Sequence, residues 1–453
     1  MGAPLRRRRA GGLHPDPAPG AVTVEPSDTR PQSPAAAPLP VLLVVYGRGS
    51  ATPRGILGAA RRLCTVVFLG DLGDPKAAAD LAGLPKSATV VDTAGLTEEQ
   101  LVERAAGFGA SGVITFSDHL LRSAAAVAER CGLPFHDRAT VEVLVDKFQQ
   151  RAALAAAGVQ STVCRTVRSA ADLAPALAAT GLPAVLKPRS GAGSVDTCLV
   201  RSSDELADRY AEFTTDATTP AVFVLEEYLV SDPTVVGEFW GDYVSIESAV
   251  KDGEIHTVAV TGKLPLAHPF RETGYFTPAL LPDGLAEQVV ALERSALRAL
   301  GIREGVTHTE IKFTPDGPRL IEVNGRLGGH VSDVLKRSAG TDLLLLALRL
   351  ALGDFTPPAP VLALGAACPA VAFQYFLSPP ADGLAPGGGE LIDDLQAVPG
   401  VDLVDARIDP TWRADWRAGT EWLIGTVYGS AAGYAELRTT VEGIHRRMDT
   451  FWS

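Results

Sequence analysis

"HTEIKFTPDGPRLIEVNGR", residues 308–326, alternates polar or charged residues with apolar ones on both sides of Pro315-Asp316-Gly317-Pro318. The proline fixes φ and the glycine accepts the dihedrals that reverse a chain, so the stretch reads as a β-hairpin. With Thr314–Pro318 as the loop and Phe313 opposite Arg319, Glu310 falls opposite Glu322, His308 opposite Asn324 and Ile311 opposite Ile321. Side chains alternate across a strand. Ile311, Phe313, Ile321 and Val323 therefore share a core face, and His308, Glu310, Glu322 and Asn324 share a polar one. Two carboxylates held opposite each other repel unless solvent screens them or a cation lies between them.

Outward from this hairpin, the chain is 453 residues long with 46% apolar and 21% charged residues, a globular composition with room for about two or three domains. A formal charge of −12 argues against nucleic acid as a partner, which would require a basic stripe. Cys64, Cys131, Cys164, Cys198 and Cys368 are scattered without CxxC or His-paired spacing and read as reduced, cytoplasmic thiols. No apolar run reaches the ~18–20 residues of a membrane span, and the longest, near Leu343–Leu352, is broken by Arg349. Residues 1–38 carry Arg6–Arg9 and then Pro, Ala, Gly and Ser without a signal-type apolar core, so a solvated, disordered tail is expected.

"PVLLVVYG" (40–47), "CTVVFLGD" and "SGVITFSD" (111–118) read as strands separated by helices, the pattern of a parallel α/β sheet. The helical "VEVLVDKFQQRAALAAAG" follows a boundary near residue 140. Next come the strand "TVCRTV", a helix over 169–180, and "PAVLKPRSGAGSVDTCLV" as strand, glycine-rich loop and strand. The strand 222–230 carries Glu226 and Glu227, which mark either an edge strand with a charged tip or a strand offering its backbone to a flat heterocycle. Two further strands precede a helix over 285–300 and the hairpin, giving a middle section of mostly antiparallel sheet. After Pro357, Pro358 and Pro360 a smaller α/β unit ends in a helix. Its Trp412, Trp416, Trp422 and Trp452 read as packing residues.

Lys187 at a strand end beside "RSGAGS" suits a triphosphate, because glycines expose backbone N–H groups to phosphate oxygens, although no Gly-Lys-Ser/Thr closes a Walker loop. Glu310, Glu322 and Asn324 offer hard oxygen ligands of the kind magnesium takes together with phosphates. Arg326 adds a planar fork for a carboxylate or phosphoryl group.

In order, "DK" (146–147), "LKPRSGAGS", "EEYL", "TEIKF" and "IEVNGRLGG" resemble the ATP-grasp superfamily. Within it, "THTEIKFTPDGPRLIEVNGRLGG" and "PFRETGYFTPALLP" resemble the carboxylate-amine ligases typified by bacterial L-amino-acid ligases of the bacilysin type. The resemblance runs from about residue 41 to the C-terminus. It implies an α/β (α+β) ATP-grasp fold: a tail over 1–38, an N-terminal parallel α/β domain over 39–139, a two-part ATP-grasp domain over 140–355 with a lid at about 150–228, and a small C-terminal α/β subdomain over 356–453.

By the same resemblance, Lys147 and Lys187 hold the α and β phosphates of ATP, and Ser190, Gly191, Gly193 and Ser194 belong to the loop that closes over the β and γ phosphates. Glu226, Glu227, Tyr228 and Leu229 would take the adenine through their backbone, and Asp232 or Glu238 the ribose. Glu310 and Glu322, assisted by Asn324, become ligands of two Mg2+ ions, with Mn2+ as the alternative. Arg326 and the Gly328–Gly329 amides would stabilise an acyl phosphate and its adduct, so Arg326, Asn324 and Gly329 form the implied catalytic set. Glu272 falls where the substrate ammonium binds, beside His308 and Tyr275, and Tyr275 stands where some relatives carry histidine. The implied activity joins an amino-acid carboxylate to an amine with release of ADP and phosphate. Its partners are small molecules, and a homodimer is left open. The alternatives are another ATP-grasp ligase or carboxylase acting on a different carboxylate, or a non-catalytic ATP-binding protein. No biotin-carrier Met-Lys supports a carboxylase.

Overall fold

The computed structural model describes residues 38–215, 221–361, 370–379, 390–406 and 415–452; the expectations for Arg6–Arg9, Cys368 and Trp412 fall outside them. The first described part contains β1 (Val41–Tyr46), α1 (Pro53–Ala60), β2 (Thr65–Gly70), α2 (Pro75–Ala82), β3 (Thr89–Asp92), α3 (Glu98–Ala106), β4 (Gly112–Ile114) and α4 (Leu121–Cys131). The strands pair in parallel in the order β3-β2-β1-β4. Near-continuous apolar runs suit strands covered on both faces, and Thr52, Asp74 and Thr97 cap the following helices with their side chains.

Two helices, α5 (Arg138–Leu144) and α6 (Lys147–Ala156), lead into the segment expected to act as a lid, which forms a four-stranded sheet with two helices from β5 (Cys164–Val167), α7 (Leu173–Thr180), β6 (Ala184–Pro188), β7 (Cys198–Val200), α8 (Ser203–Thr215) and β8 (Phe223–Glu227). The lid strands run in the order β5-β8-β6-β7. The strand carrying Glu226 is therefore interior, and the edge-strand alternative is wrong. A buried arginine, described below, is what makes a glutamate tolerable there.

The remaining elements are β9 (Tyr243–Lys251), β10 (Glu254–Lys263), β11 (Gly274–Thr277), α9 (Leu285–Ala299), β12 (Gly305–Thr314), β13 (Gly317–Asn324), α10 (Val331–Ala339), α11 (Leu343–Ala351), β14 (Val371–Phe376), α12 (Glu390–Gln396), β15 (Val401–Ala406), β16 (Gly425–Ala431) and α13 (Tyr434–Trp452). Eight strands form one sheet in the order β13-β12-β9-β10-β11-β14-β16-β15, so the strands after residue 356 extend the sheet that carries the hairpin. One face packs on α9 and α13 through Val244, Ile246, Val260, Phe276 and Phe373. The other meets α10 and α11 at Ala249, Ala259 and Phe376, and its uncovered part carries the polar residues of the site.

The hairpin forms with Glu310 opposite Glu322 and His308 opposite Asn324, as the alternation predicts. Its turn is tighter than expected: Thr314 pairs with Gly317, Phe313 with Pro318 and Ile311 with Leu320. A bulge between Glu310 and Ile311 absorbs the one-residue difference, so Leu320 takes the core place expected for Ile321. β13 is an edge strand, yet α6 and its C-terminal loop satisfy it with side chains. The Gln150 amide exchanges two 2.9 Å bonds with the Val323 backbone, and Gln160 bonds the Leu320 N–H at 2.7 Å and its carbonyl at 3.0 Å.

Removing the amide in Gln150→Leu leaves the Val323 N–H and carbonyl unpaired in the interior, with an expected loss of about 2–4 kcal/mol in urea unfolding. Glu293, wholly buried on α9, makes no hydrogen bond and only approaches Ser248. Burial pushes its carboxyl from 4.5 up to about 7. Its protonated form is the stable one inside, so its contribution to stability is fully present below pH 4.5 and is lost as pH rises through 7. We expect a fall of about 1–3 kcal/mol across this window in the wild type, and a flatter profile for Glu293→Gln.

Candidate functional site

The phosphate end of the site is assembled around the start of α6. Asp146 caps that helix at the Gln149 N–H and forms an ion pair with Arg189 at 2.6 Å, which fixes Lys147 at the first helical position beside the β6 loop. Lys147 Nζ donates to the Gly191 carbonyl at 2.6 Å and lies 3.3 Å from Glu322 Oε2, spanning the glycine-rich loop and the hairpin. Lys187 Nζ is 2.8 Å from Glu226.

Glu226 is also held by both Arg151 Nε (3.2 Å) and Nη2 (3.1 Å), and Arg151 Nη2 reaches the Ile321 carbonyl at the bulge (2.5 Å). Only 6% of the Arg151 side chain and 4% of that of Glu226 are exposed, so neither could stand there alone. Burial alone would raise the Glu226 carboxyl, but Arg151 and Lys187 hold it down at about 2.

On the hairpin, Asn324 Nδ2 donates to Glu322 Oε1 at 3.2 Å. Burial opposes ionisation of Glu322, and Lys147 and Lys187 outweigh it, leaving the carboxyl at about 2. His308 bonds through Nδ1 to Glu247 and faces Glu310 through Nε2 at 3.4 Å. Burial disfavours the imidazolium, but Glu247 overcomes it and raises the ring to about 9. Gly328 lies so close to His308 and Glu247 that a Cβ would collide with both, and its N–H donates to Glu247 Oε2 at 3.2 Å. That amide is taken up by Glu247 rather than facing a reacting group as expected, whereas a Cβ at Gly329 would meet nothing within 4 Å.

Arg326 is aimed from the end of the parallel sheet. Its Nε (2.8 Å) and Nη2 (2.7 Å) both meet Asp118 Oδ2 beyond β4, and Nη1 donates to the Leu327 carbonyl. His136 Nε2 bonds the Gly325 carbonyl at 2.9 Å between Asn324 and Arg326. Burial lowers this imidazole to about 4, so it is neutral and donates.

The expected substrate residue Glu272 is already the centre of a cluster. Lys263 Nζ is 3.0 Å from it, and the Tyr243 (3.2 Å) and Tyr275 hydroxyls donate to it, while Lys263 lies 3.6 Å above the Tyr275 ring. Burial works against its charge and Lys263 in favour, so its carboxyl lies below the usual range. An ionised carboxylate has about four acceptor positions, so roughly one is left for a ligand.

The adenine and ribose candidates are less converged. Glu226 and Glu227 pair in the sheet with Cys164 and Ala184, and the Glu227 N–H donates to the Val163 carbonyl, which leaves Tyr228 and Leu229 past the strand end. The Glu227 side chain binds Arg319 at 3.0 Å. Asp232 uses its carboxylate on Thr234, and Glu238 is exposed. Arg151, Asp118, Glu247 and Lys263 were missed from the sequence. The available signal was a charge inside an apolar strand or helix: Glu247 within "YVSIESAV" and Lys263 ending "VAVTGK".

The donor set fits a hard divalent cation. Glu310 and Glu322 are opposed, Glu322 is anionic, and Asn324 adds an amide oxygen on the same face. Among the described residues no group of three or more His, Cys, Asp or Glu is placed to hold a metal ion by itself. Nor, among them, is any helix long and apolar enough to cross a membrane.

Residues 180–333 match the ATP-grasp domain family. Alanine–anticapsin ligase of Bacillus subtilis (strain 168) is 30% identical over 263 residues, 55% of this chain and 56% of that protein. Carnosine synthase 1 of Homo sapiens is 30% identical over 271 residues, 55% of this chain and 32% of that one. The chain thus matches about half the length of the first of these relatives and a third of the second. The crystal structure of an L-amino acid ligase from Bacillus licheniformis superposes with a TM-score of 0.70 at 22% identity, covering 91% of this chain and 97% of that one. Residues 180–333 thus resemble ATP-grasp domains, and the chain has the ATP-grasp fold and resembles amino-acid ligases in sequence.

Proposed function

We propose that the protein is an ATP-dependent carboxylate-amine ligase that joins an amino-acid carboxylate to an amine or a second amino acid through an acyl phosphate, releasing ADP and phosphate. The observation that carries this reading is the convergence of Glu310, Glu322 and Asn324 with Lys147, while Arg326 on the same hairpin exit is aimed by Asp118. The similarity to alanine–anticapsin ligase and carnosine synthase 1 supports the same class.

Lys147 and Lys187 would neutralise the triphosphate, with Lys187 oriented by Glu226 and Lys147 by the Gly191 carbonyl. Magnesium held by Glu310, Glu322 and Asn324, with two ions as the family's expectation and manganese as the alternative, would supply further neutralisation of phosphate charge. The substrate carboxylate attacks the γ-phosphorus in line and ADP leaves. An amine then displaces phosphate from the activated carbonyl. Arg326, fixed at Nε and Nη2, keeps N–H groups for the developing oxyanion, and a preorganised donor of this kind contributes on the order of 3 kcal/mol. The Gly329 amide is the backbone candidate beside it. Glu272 would offer its remaining acceptor position to the substrate ammonium, with Tyr275 and His308 bounding the pocket. Tyr228 and Leu229 would meet the adenine, and Asp232, once released from Thr234, the ribose.

The test is ADP and phosphate release from magnesium-ATP across single and paired amino acids, with mass spectrometry of the products. A pair-dependent signal with a condensed product is expected, whereas AMP with pyrophosphate would exclude the acyl phosphate route. Glu322→Ala should abolish ADP formation while unfolding as a normal cooperative domain; full turnover by this variant would sink the metal assignment. Asp118→Asn should lower kcat about 10- to 100-fold with a smaller effect on the ATP KM, since it releases the arginine rather than the nucleotide.

A further inference from the structure

The segment 415–422 crosses between the lid and the substrate pocket. One side of it grips the lid. Trp416 packs against the lid core, its ring 5.8 Å from that of Phe213, with the Arg209 guanidinium 5.1 Å from the indole. Arg417 lies 5.5 Å over Phe213 and forms a 2.7 Å ion pair with Asp196, whose N–H donates to the Arg417 carbonyl at 3.0 Å. The Thr420 N–H donates to the Gly193 carbonyl at 2.9 Å, inside the glycine-rich loop. This approach requires glycine at 419, where φ is +63° and a Cβ would collide with the Gly193 carbonyl and the Ser194 backbone.

The other side meets the pocket. Thr420 Oγ1 accepts the Glu272 N–H at 3.2 Å, and the Arg271 guanidinium lies 4.4 Å over the Trp422 ring. Thr420 is therefore hydrogen-bonded through its backbone to the loop that would cover the phosphates and through its hydroxyl to the residue that would meet the substrate.

We propose that Arg417, Gly419 and Thr420 are positioning residues that hold the glycine-rich loop shut over the activated carboxylate and tie that closure to the substrate pocket. The proposal rests on the ligase reading for its chemistry. A loop with glycines at 191 and 193 is costly to order, and none of residues 190–195 is buried. Two backbone bonds, one ion pair and the Trp416 contact supply that restraint from outside the lid. If the loop opens early, water takes the place of the amine. The activated carbonyl is then returned as the free carboxylate with phosphate, so one ATP becomes ADP and phosphate without an amide.

The decisive measurement is amide formed per ADP released in Arg417→Ala and Gly419→Ala, using the full chain and a substrate pair found active. We expect the ratio to fall at least about threefold in both variants, with a raised ATP KM. A ratio equal to wild type, even with reduced kcat, overturns the proposal, since a merely structural residue would slow turnover without uncoupling it. Arg417→Ala removes only a partly exposed side chain and keeps the test alive if Gly419→Ala does not fold. Hydrogen exchange across residues 190–196 with AMP-PNP and magnesium separates this inference from the ligase reading. Faster exchange in Arg417→Ala supports the latch whatever the reaction is, and identical exchange overturns it. Absence of ADP from the wild type with every amino-acid pair would count against the ligase reading alone.

Discussion

The buried guanidinium of Arg151 is the constraint on which the site depends. It joins α6 to the lid through Glu226 and to the hairpin through the Ile321 carbonyl, so the two halves of the candidate nucleotide cleft share one side chain. Such a cluster adds little net stability, because desolvating the ions offsets most of their attraction, but losing one partner strands a charge and costs about 3–5 kcal/mol. Its value is positional. Glu226 cannot move without uncovering Arg151, and Lys187 is tied to Glu226.

The same economy recurs around the cleft. Glu322 sits with Lys147, Glu272 with Lys263, Glu247 with His308, and Asp118 with Arg326. Each of these four carboxylates is matched by a cation from another segment of the chain, while Glu310 faces His308 on its own strand. Two of these pairs fasten parts of the fold together: Lys147–Glu322 joins α6 to the central sheet, and Asp118–Arg326 joins the N-terminal sheet to it. Lys263 is the extreme case: its side chain is 0% exposed, and Glu272 with the ring faces of Tyr275 and Tyr243 makes an ammonium tolerable there.

Much of this was legible before any coordinates. Alternation fixes which residues of 308–324 face together, and a proline-glycine turn fixes that the strands are adjacent, so Glu310 and Glu322 come out opposed from local rules alone. The glycine-rich loop beside Lys187 and the strand-helix order of the first part are equally local. The turn length was not, because a two-residue reversal and a bulge give the same pairing at Glu310 as the longer loop assumed. From Ile311 to the turn the pairing is shifted by one residue, so Ile321 leaves the core to Leu320 and frees a carbonyl for Arg151.

By itself, then, the sequence determined the elements, the face each strand presents and the carboxylate pair, since these depend on dihedral preference and period-two alternation over a few residues. Tertiary structure decided the partners: Asp118 for Arg326 across 208 residues, Glu247 for His308, the consumed Gly328 amide, and the segment 415–422 against the lid loop. Those pairings join residues far apart along the chain, and whether a charge inside a strand is a ligand or a counterion depends on which other charge the fold brings within about 3 Å of it.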